Sequence, residues 1–86
     1  MQFEELLKEL TRRITDGSFI NATISQPRTK TDEVKRVKVK PVEIKGQLHI
    51  QFEYQHERIL KHENVTPDEL QDHLQQLLSA QTYLLN

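Results

Sequence analysis

The sequence predicts an α+β fold, in which helices from the two ends of the chain pack on one face of an antiparallel sheet of three to four strands. Apolar residues near both ends recur every three or four positions, as in helices, whereas those in the middle alternate with polar residues, as in strands. The longest alternating run, Val34 to Gln55, is interrupted at Lys45-Gly46, where a hairpin turn fits. With 86 residues the chain has room for one core, so residues 1–86 are predicted to form a single domain.

A helix and then a strand are predicted at the start of the chain. The helix ends near Gly17, a residue type common just after helix C-termini. Its apolar stripe consists of Phe3, Leu6, Leu7, Leu10 and Ile14. From Ser18 to Gln26 the period changes to two, which predicts a strand with Ile20, Ala22 and Ile24 on one side.

The central run predicts a long hairpin. A loop from Pro27 to Glu33, with almost no apolar content, leads into it. In its first strand the apolar phase shifts by one position after Pro41, and because proline gives no N–H to a ladder, a β-bulge is predicted there. The apolar residues of its second strand, predicted to face the core, are Leu48, Ile50, Phe52 and Tyr54. A turn around Gln55 to Glu57 and a short strand from Arg58 to His62 are predicted next.

The last predicted element is a helix capped by Thr66, with Pro67 at its first position and Glu69 three residues after the cap. Its apolar stripe consists of Leu70, Leu74, Leu77 and Leu78. The chain then ends on an apolar segment that includes Tyr83, Leu84 and Leu85. This pattern is typical of an interrupted element, so we expect the domain to come from the N-terminus of a longer protein.

The composition is that of a soluble, cytoplasmic domain. Charged residues make up 29% of the chain and there is no cysteine, which excludes disulfides and thiolate metal sites. No apolar run approaches the length of a membrane span, so no membrane partner is expected. Of the 12 basic residues, seven lie between Arg28 and Lys45, and the net charge of −1 therefore hides a basic centre flanked by acidic ends.

Few kinds of catalytic chemistry fit these residues. The serines lack a glycine-flanked elbow, and two glycines cannot build a phosphate-binding loop. Histidines at 49, 56, 62 and 73 match no zinc spacing, so we expect them to be solvated and predict no metal site. We predict no catalytic residue in this chain.

The basic strand is the one candidate for binding. In one interpretation its cations, with those of the preceding loop, neutralise the phosphates of a nucleic acid. These candidate residues are Arg28, Lys30, Arg36, Lys38 and Lys40. In the other interpretation they are solvated and protect a sheet edge against aggregation. Base-stacking platforms are few, because Phe52 and Tyr54 share the parity of the apolar positions.

The segment from Val34 to Leu70 resembles the N-terminal region of a group of bacterial class I S-adenosylmethionine-dependent methyltransferases. The matching stretches are Lys40 to Gly46 (KPVEIKG), Gln51-Phe52, and His62-Glu63-Asn64 before the helix start. Lys40 stands where the family pattern has arginine, which keeps the charge and loses the bidentate fork.

The resemblance implies a non-catalytic N-terminal module that helps to hold an RNA or another anionic substrate. The catalytic domain, and S-adenosylmethionine with it, would then follow this chain in the parent protein. An alternative of a different class is a structural domain that docks on a neighbouring domain or subunit through Tyr83, Leu84 and Leu85.

Overall fold

A computed structural model describes residues 1–27 and 34–86 of the chain. Two helices, a single 3₁₀ turn and five strands follow one another along these residues. They are α1 (Phe3–Thr15), β1 (Ala22–Ser25), β2 (Arg36–Ile44), β3 (Gln47–His56), β4 (Ile59–Val65), the 3₁₀ turn (Pro67–Glu69), α2 (Leu70–Leu77) and β5 (Leu84–Leu85).

The strands form one antiparallel sheet in the order β4-β3-β2-β1-β5. Both helices pack on the same side of it, which we call the inner face, and the opposite side is the outer face. The predicted α+β fold is confirmed. The sheet has five strands instead of three to four, because the C-terminal Leu84–Leu85 pairs with β1.

The core lies between the inner face and the two helices. The helices contribute Leu6 and Leu10 from α1 and Leu70 and Leu74 from α2. The strands contribute Ala22, Ile24, Val37, Val39, Ile50, Phe52, Tyr54 and Val65. Apart from Val65, which lies beyond the predicted strand from Arg58 to His62, these strand residues have the parity predicted for the core side. Leu48, also predicted to face the core, is 44% exposed near the hairpin turn.

Two tight turns of the same kind join the three longest strands. Lys45 and Gly46 both have positive φ, at 52° and 78°, and so do Glu57 and Arg58, at 52° and 66°. Positive φ at both central residues defines the type I′ turn, whose twist suits a two-residue hairpin. The predicted turn at Lys45-Gly46 is confirmed, and the second turn lies at Glu57-Arg58.

The predicted bulge at Pro41 is wrong. The β2–β3 register runs without a slip from Val37 opposite Tyr54 to Ile44 opposite Gln47, with Pro41 opposite Ile50 on the inner face. The apolar phase shift has another cause. Val42 and Ile44 simply lie on the outer face, where they are half-buried.

The predicted strand from Ser18 to Gln26 is shorter than expected, since β1 covers only Ala22–Ser25. Ala22 and Ile24 face the core as predicted, but Ile20 lies before the strand and is 79% exposed. Phe19 takes its place in the core. Of the predicted loop from Pro27 to Glu33, residues 28–33 lie outside the described part of the chain.

The start of the last helical segment is as predicted. The Glu69 carboxylate accepts hydrogen bonds from the backbone N–H of Thr66 at 3.0 Å and from its hydroxyl at 2.8 Å. These two bonds stabilise the charged form and lower the pKa of Glu69. The segment begins with the 3₁₀ turn and continues as α2.

The two ends of the chain meet beside β1. The backbone N–H of Tyr83 donates to the Met1 carbonyl at 2.7 Å, and the terminal amine donates to the Tyr83 carbonyl at 2.6 Å. The rings of Phe3 and Tyr83 lie edge to face with centroids 6.4 Å apart. The segment therefore completes the fold by closing the sheet against α1.

Candidate anion-binding face

Three cations lie in a row on the outer face, on the middle strand of the sheet. Arg36, Lys38 and Lys40 alternate along β2 with the buried Val37 and Val39, and all three are exposed. Alternate residues of a strand are about 6.6 Å apart, so the row presents a positive charge at regular intervals. We call these three residues the cationic row.

The cross-strand neighbours of the cationic row are polar, whereas Val42, the next outer-face residue of β2, is apolar and half-buried. Lys38 lies between Thr23 of β1 and Glu53 of β3, and Lys40 lies opposite Gln51. Glu53 is also 3.6 Å from the Nε2 atom of His62 on β4. Within residues 1–27 and 34–86 no ion pair involves Arg36, Lys38 or Lys40, so their charges are available to a ligand.

A shallow cleft of about 350 Å³ lies along this row. Lys38 and Lys40 line it together with Asn21, Thr23, Gln51 and the acidic Glu53. Ammonium groups beside hydroxyl and amide donors are suited to the oxygens of a phosphate, sulfate or carboxylate. The two ammonium groups outnumber the single carboxylate of Glu53, so the cleft favours an anionic group.

Aromatic side chains are turned away from this face. Phe52 and Tyr54 are buried on the inner face, as predicted. The described positions opposite and beside the cationic row carry amides, hydroxyls, Glu53 and His62. For a nucleic acid ligand, this arrangement therefore favours contacts to the phosphate backbone over stacking on the bases.

The helical layer carries the opposite charge. Its acidic residues are Glu4, Glu5, Glu9, Asp16, Asp68, Glu69 and Asp72. Its basic residues are Lys8, Arg12 and Arg13, of which both arginines pair with Glu9. These pairs lower the pKa of Glu9 to about 2. The domain thus has an acidic side and a basic side, which orients it toward an anionic partner.

A second polar cluster, which the sequence did not predict, lies on the inner face beside α2. The Tyr54 hydroxyl donates to Glu63 Oε1 at 2.7 Å, and His73 Nε2 lies 3.1 Å from the same oxygen. Burial and the Glu63 carboxylate raise the pKa of Tyr54 to about 12. The prediction that His73 is solvated is wrong: its side chain is 15% exposed and packs on Phe52. This burial depends on tertiary packing that the helical spacing does not reveal.

The remaining predicted residues are placed as follows. Arg28 and Lys30 lie outside the described residues. Tyr83 is 3% exposed and its hydroxyl donates to the Ala80 carbonyl, while Leu85 packs against the core. Leu84 is 61% exposed on β5.

The histidines do not converge. His49 and His62 lie on the outer face, whereas His56 has inner-face parity. Among the described residues, no three His, Asp or Glu side chains are grouped so that they could hold a metal ion. Over the same residues, no helix has the length and apolar character needed to cross a membrane.

No protein-family model, no curated protein and no solved structure matches this chain.

Proposed function

We propose that this domain is a non-catalytic binding module that holds an RNA or another polyanionic substrate on the outer face of its sheet. One observation carries the proposal: the cationic row lies on an exposed face, along a polar cleft, with no ion pair inside the described part of the chain. Strand alternation by itself places polar residues in a row on a solvated face, so the proposal depends on all three of these residues being cationic and unpaired among the described residues. Lysines that protect a sheet against aggregation belong on an edge strand instead.

The expected mode of binding is electrostatic. Each phosphate that a lysine or arginine neutralises releases counterions, so the affinity falls as salt rises. Outer-face amides and hydroxyls such as those of Gln51 and Thr23 add hydrogen bonds to phosphate or sugar oxygens. Because no stacking platform lies beside the row among residues 1–27 and 34–86, the module would position a substrate with little dependence on its base sequence.

The resemblance to methyltransferase N-terminal regions supports a place for this module in such an enzyme. In the proposed arrangement, a catalytic domain that binds S-adenosylmethionine follows the module, which brings an anionic substrate to it. We propose a cytoplasmic location, in keeping with a chain that has no cysteine to oxidise.

The proposal is tested by adding a short single-stranded RNA to the ¹⁵N-labelled domain at low salt. We expect the amide signals of Arg36, Lys38 and Lys40 to shift, those of α1 to stay in place, and added salt to reverse the shifts. If no signal of β2 moves at low salt, or if α1 moves as much, the proposal is wrong.

Docking through the C-terminal segment is a second candidate, favoured by the exposed Leu84. Of the three predicted interface residues, only Leu84 is free to dock, because Tyr83 and Leu85 contact the chain's own core. Substitution of Leu84 by Ala separates the two candidates, because it leaves the cationic row intact. If docking is correct, this variant should lose binding to the neighbouring domain or subunit while the RNA-induced shifts of β2 stay unchanged.

A further inference from the structure

The free edge of the sheet at β4 is open, and two apolar side chains at the start of this strand are exposed. β4 is the terminal strand of the sheet and, among the described residues, pairs only with β3. Ile59 and Leu60 at its start are 58% and 54% exposed. Long edge strands with exposed branched side chains are the ones that pair with another chain.

Helix α2 reaches Glu63 of β4 through His73 but leaves the start of this strand uncovered. His73 of α2 packs on the ring of Phe52, with centroids 4.7 Å apart, which places the helix over β3. Ile59 has inner-face parity and still remains exposed, so no described side chain shields that end of the strand.

The hairpin geometry identifies which backbone groups point outward. In a two-residue type I′ turn the flanking residues, here His56 and Ile59, are a hydrogen-bonded pair. Hydrogen-bonded and non-hydrogen-bonded pairs alternate along an antiparallel ladder. The N–H and C=O groups of Leu60, His62 and Asn64 therefore point away from β3, toward any strand added at this edge.

We infer that β4 pairs antiparallel with β4 of a second copy of this chain, with His62 on the two-fold axis. In this register Lys61 lies opposite Glu63 of the second copy, and Ile59 lies opposite its Val65. All seven residues of β4 are paired, and the three outward-pointing residues provide about six ladder hydrogen bonds. In this register opposite charges face each other across the strand pair, and apolar side chains also face each other.

The other registers that pair the same outward-pointing N–H and C=O groups are less stable. If Lys61 lies on the axis, two lysines face each other, and if Glu63 lies on the axis, two glutamates do. Like charges directly opposite each other destabilise a strand pair. Registers centred on Leu60 or Asn64 shorten the ladder and lose the Lys61–Glu63 pairs.

The consequence is a continuous ten-stranded sheet with all helices on one side. Residues paired directly across an antiparallel ladder share a face, so the outer faces of both copies lie on the same side. The two cationic rows would then be about 24 Å apart, at five strand spacings. This dimer does not depend on the proposed RNA binding, and its test contains no nucleic acid.

Single cysteines test the register, since the chain has none of its own. In the inferred dimer the two His62 Cα atoms are about 5.5 Å apart, within disulfide range. Those of Asn64, on the same strand and face, are about 14 Å apart. Under mild oxidation we expect H62C to form a covalent dimer at least tenfold faster than N64C. Equal rates in the two variants would overturn the inference.

Sedimentation of the unmodified chain gives the second readout. We expect its mass to rise with concentration from 10.2 kDa toward that of two chains. K61E should raise the dissociation constant about tenfold, because it sets two carboxylates opposite each other in each pair. K8E, the same charge change on α1, should leave the constant unchanged. A monomer at every concentration up to millimolar would also overturn the inference.

Discussion

Gln26 joins three parts of the chain through one buried side chain. Its amide nitrogen donates to the Val34 carbonyl, and its Oε1 accepts from the backbone N–H groups of Ser79 and Ala80 at 2.8 and 3.0 Å. The end of β1, the approach to β2 and the segment after α2 are thereby held together. A polar residue at a strand end gives no sequence signal for such a role.

We expect Gln26→Leu to lower the free energy of unfolding by about 2–4 kcal/mol, because the buried bond to the Val34 carbonyl and the two partly buried bonds from Ser79 and Ala80 are lost. Urea unfolding measures the change. Gln55→Leu, the same substitution at an exposed position of β3, should stay within about 0.5 kcal/mol. Equal effects of the two substitutions would contradict the role given to Gln26.

Tyr54 gives the fold a dependence on alkaline pH. Its pKa is about 12 in the folded state, against an ordinary value of 10.0. The folded chain therefore holds its proton more tightly than the unfolded chain, and the resulting stability is complete below pH 10 and lost as pH rises toward 12.

Tyr54→Phe should flatten this dependence, and urea midpoints at pH 8, 10 and 11.5 measure it. The pKa of Tyr83 is also raised by burial, so Tyr83 contributes to the pH dependence of stability that remains in the Tyr54→Phe variant. A wild-type midpoint that falls no more than that of the variant would show that Tyr54 does not titrate in this way.

At the scale of elements, the sequence correctly predicted the turn and the helix start, which depend on interactions between neighbouring residues. Residues such as Lys45-Gly46 and Thr66 act on their immediate neighbours, and the predicted hairpin and helix start are confirmed. Pro41 shows the limit of the pattern. A shift of apolar phase can mean a bulge or apolar residues on the outer face, and only the pairing with β3 distinguishes them.

β5 could not be predicted because its partner β1 lies about 60 residues earlier in the chain. Two residues are too few for an alternating pattern, and the strand forms only where Tyr83 is anchored against Phe3 and the N-terminus. The apolar C-terminal segment therefore appeared in the sequence as an interrupted element.

The same segment gives a prediction that separates folding from docking. Tyr83→Ala should cost about 3–5 kcal/mol of stability, because it empties a buried aromatic site. Leu84→Ala should cost less than about 0.5 kcal/mol, as its side chain is exposed. Thermal or urea unfolding measures both, and a Tyr83→Ala variant as stable as Leu84→Ala would contradict the packing described for β5.

At the scale of the whole molecule, the separation of charge is the feature that bears on function. The sequence predicted a basic centre, and strand alternation placed Arg36, Lys38 and Lys40 on one side. It did not reveal that this side is the outer face of a middle strand, since that requires the strand order. It also did not reveal the polar cleft beside Asn21 and Thr23, which β1, β2 and β3 build together.

The salt dependence of RNA binding tests the central claim most directly. For three phosphate contacts to a single strand, the logarithm of the association constant should fall with the logarithm of the salt concentration with a slope of about −2. In the double variant K38Q/K40Q the slope should approach about −0.7 and the affinity at low salt should drop. K8Q, on the acidic helical side, should keep the wild-type slope. Binding that is absent at low salt, or a double variant with the wild-type slope, would contradict the account.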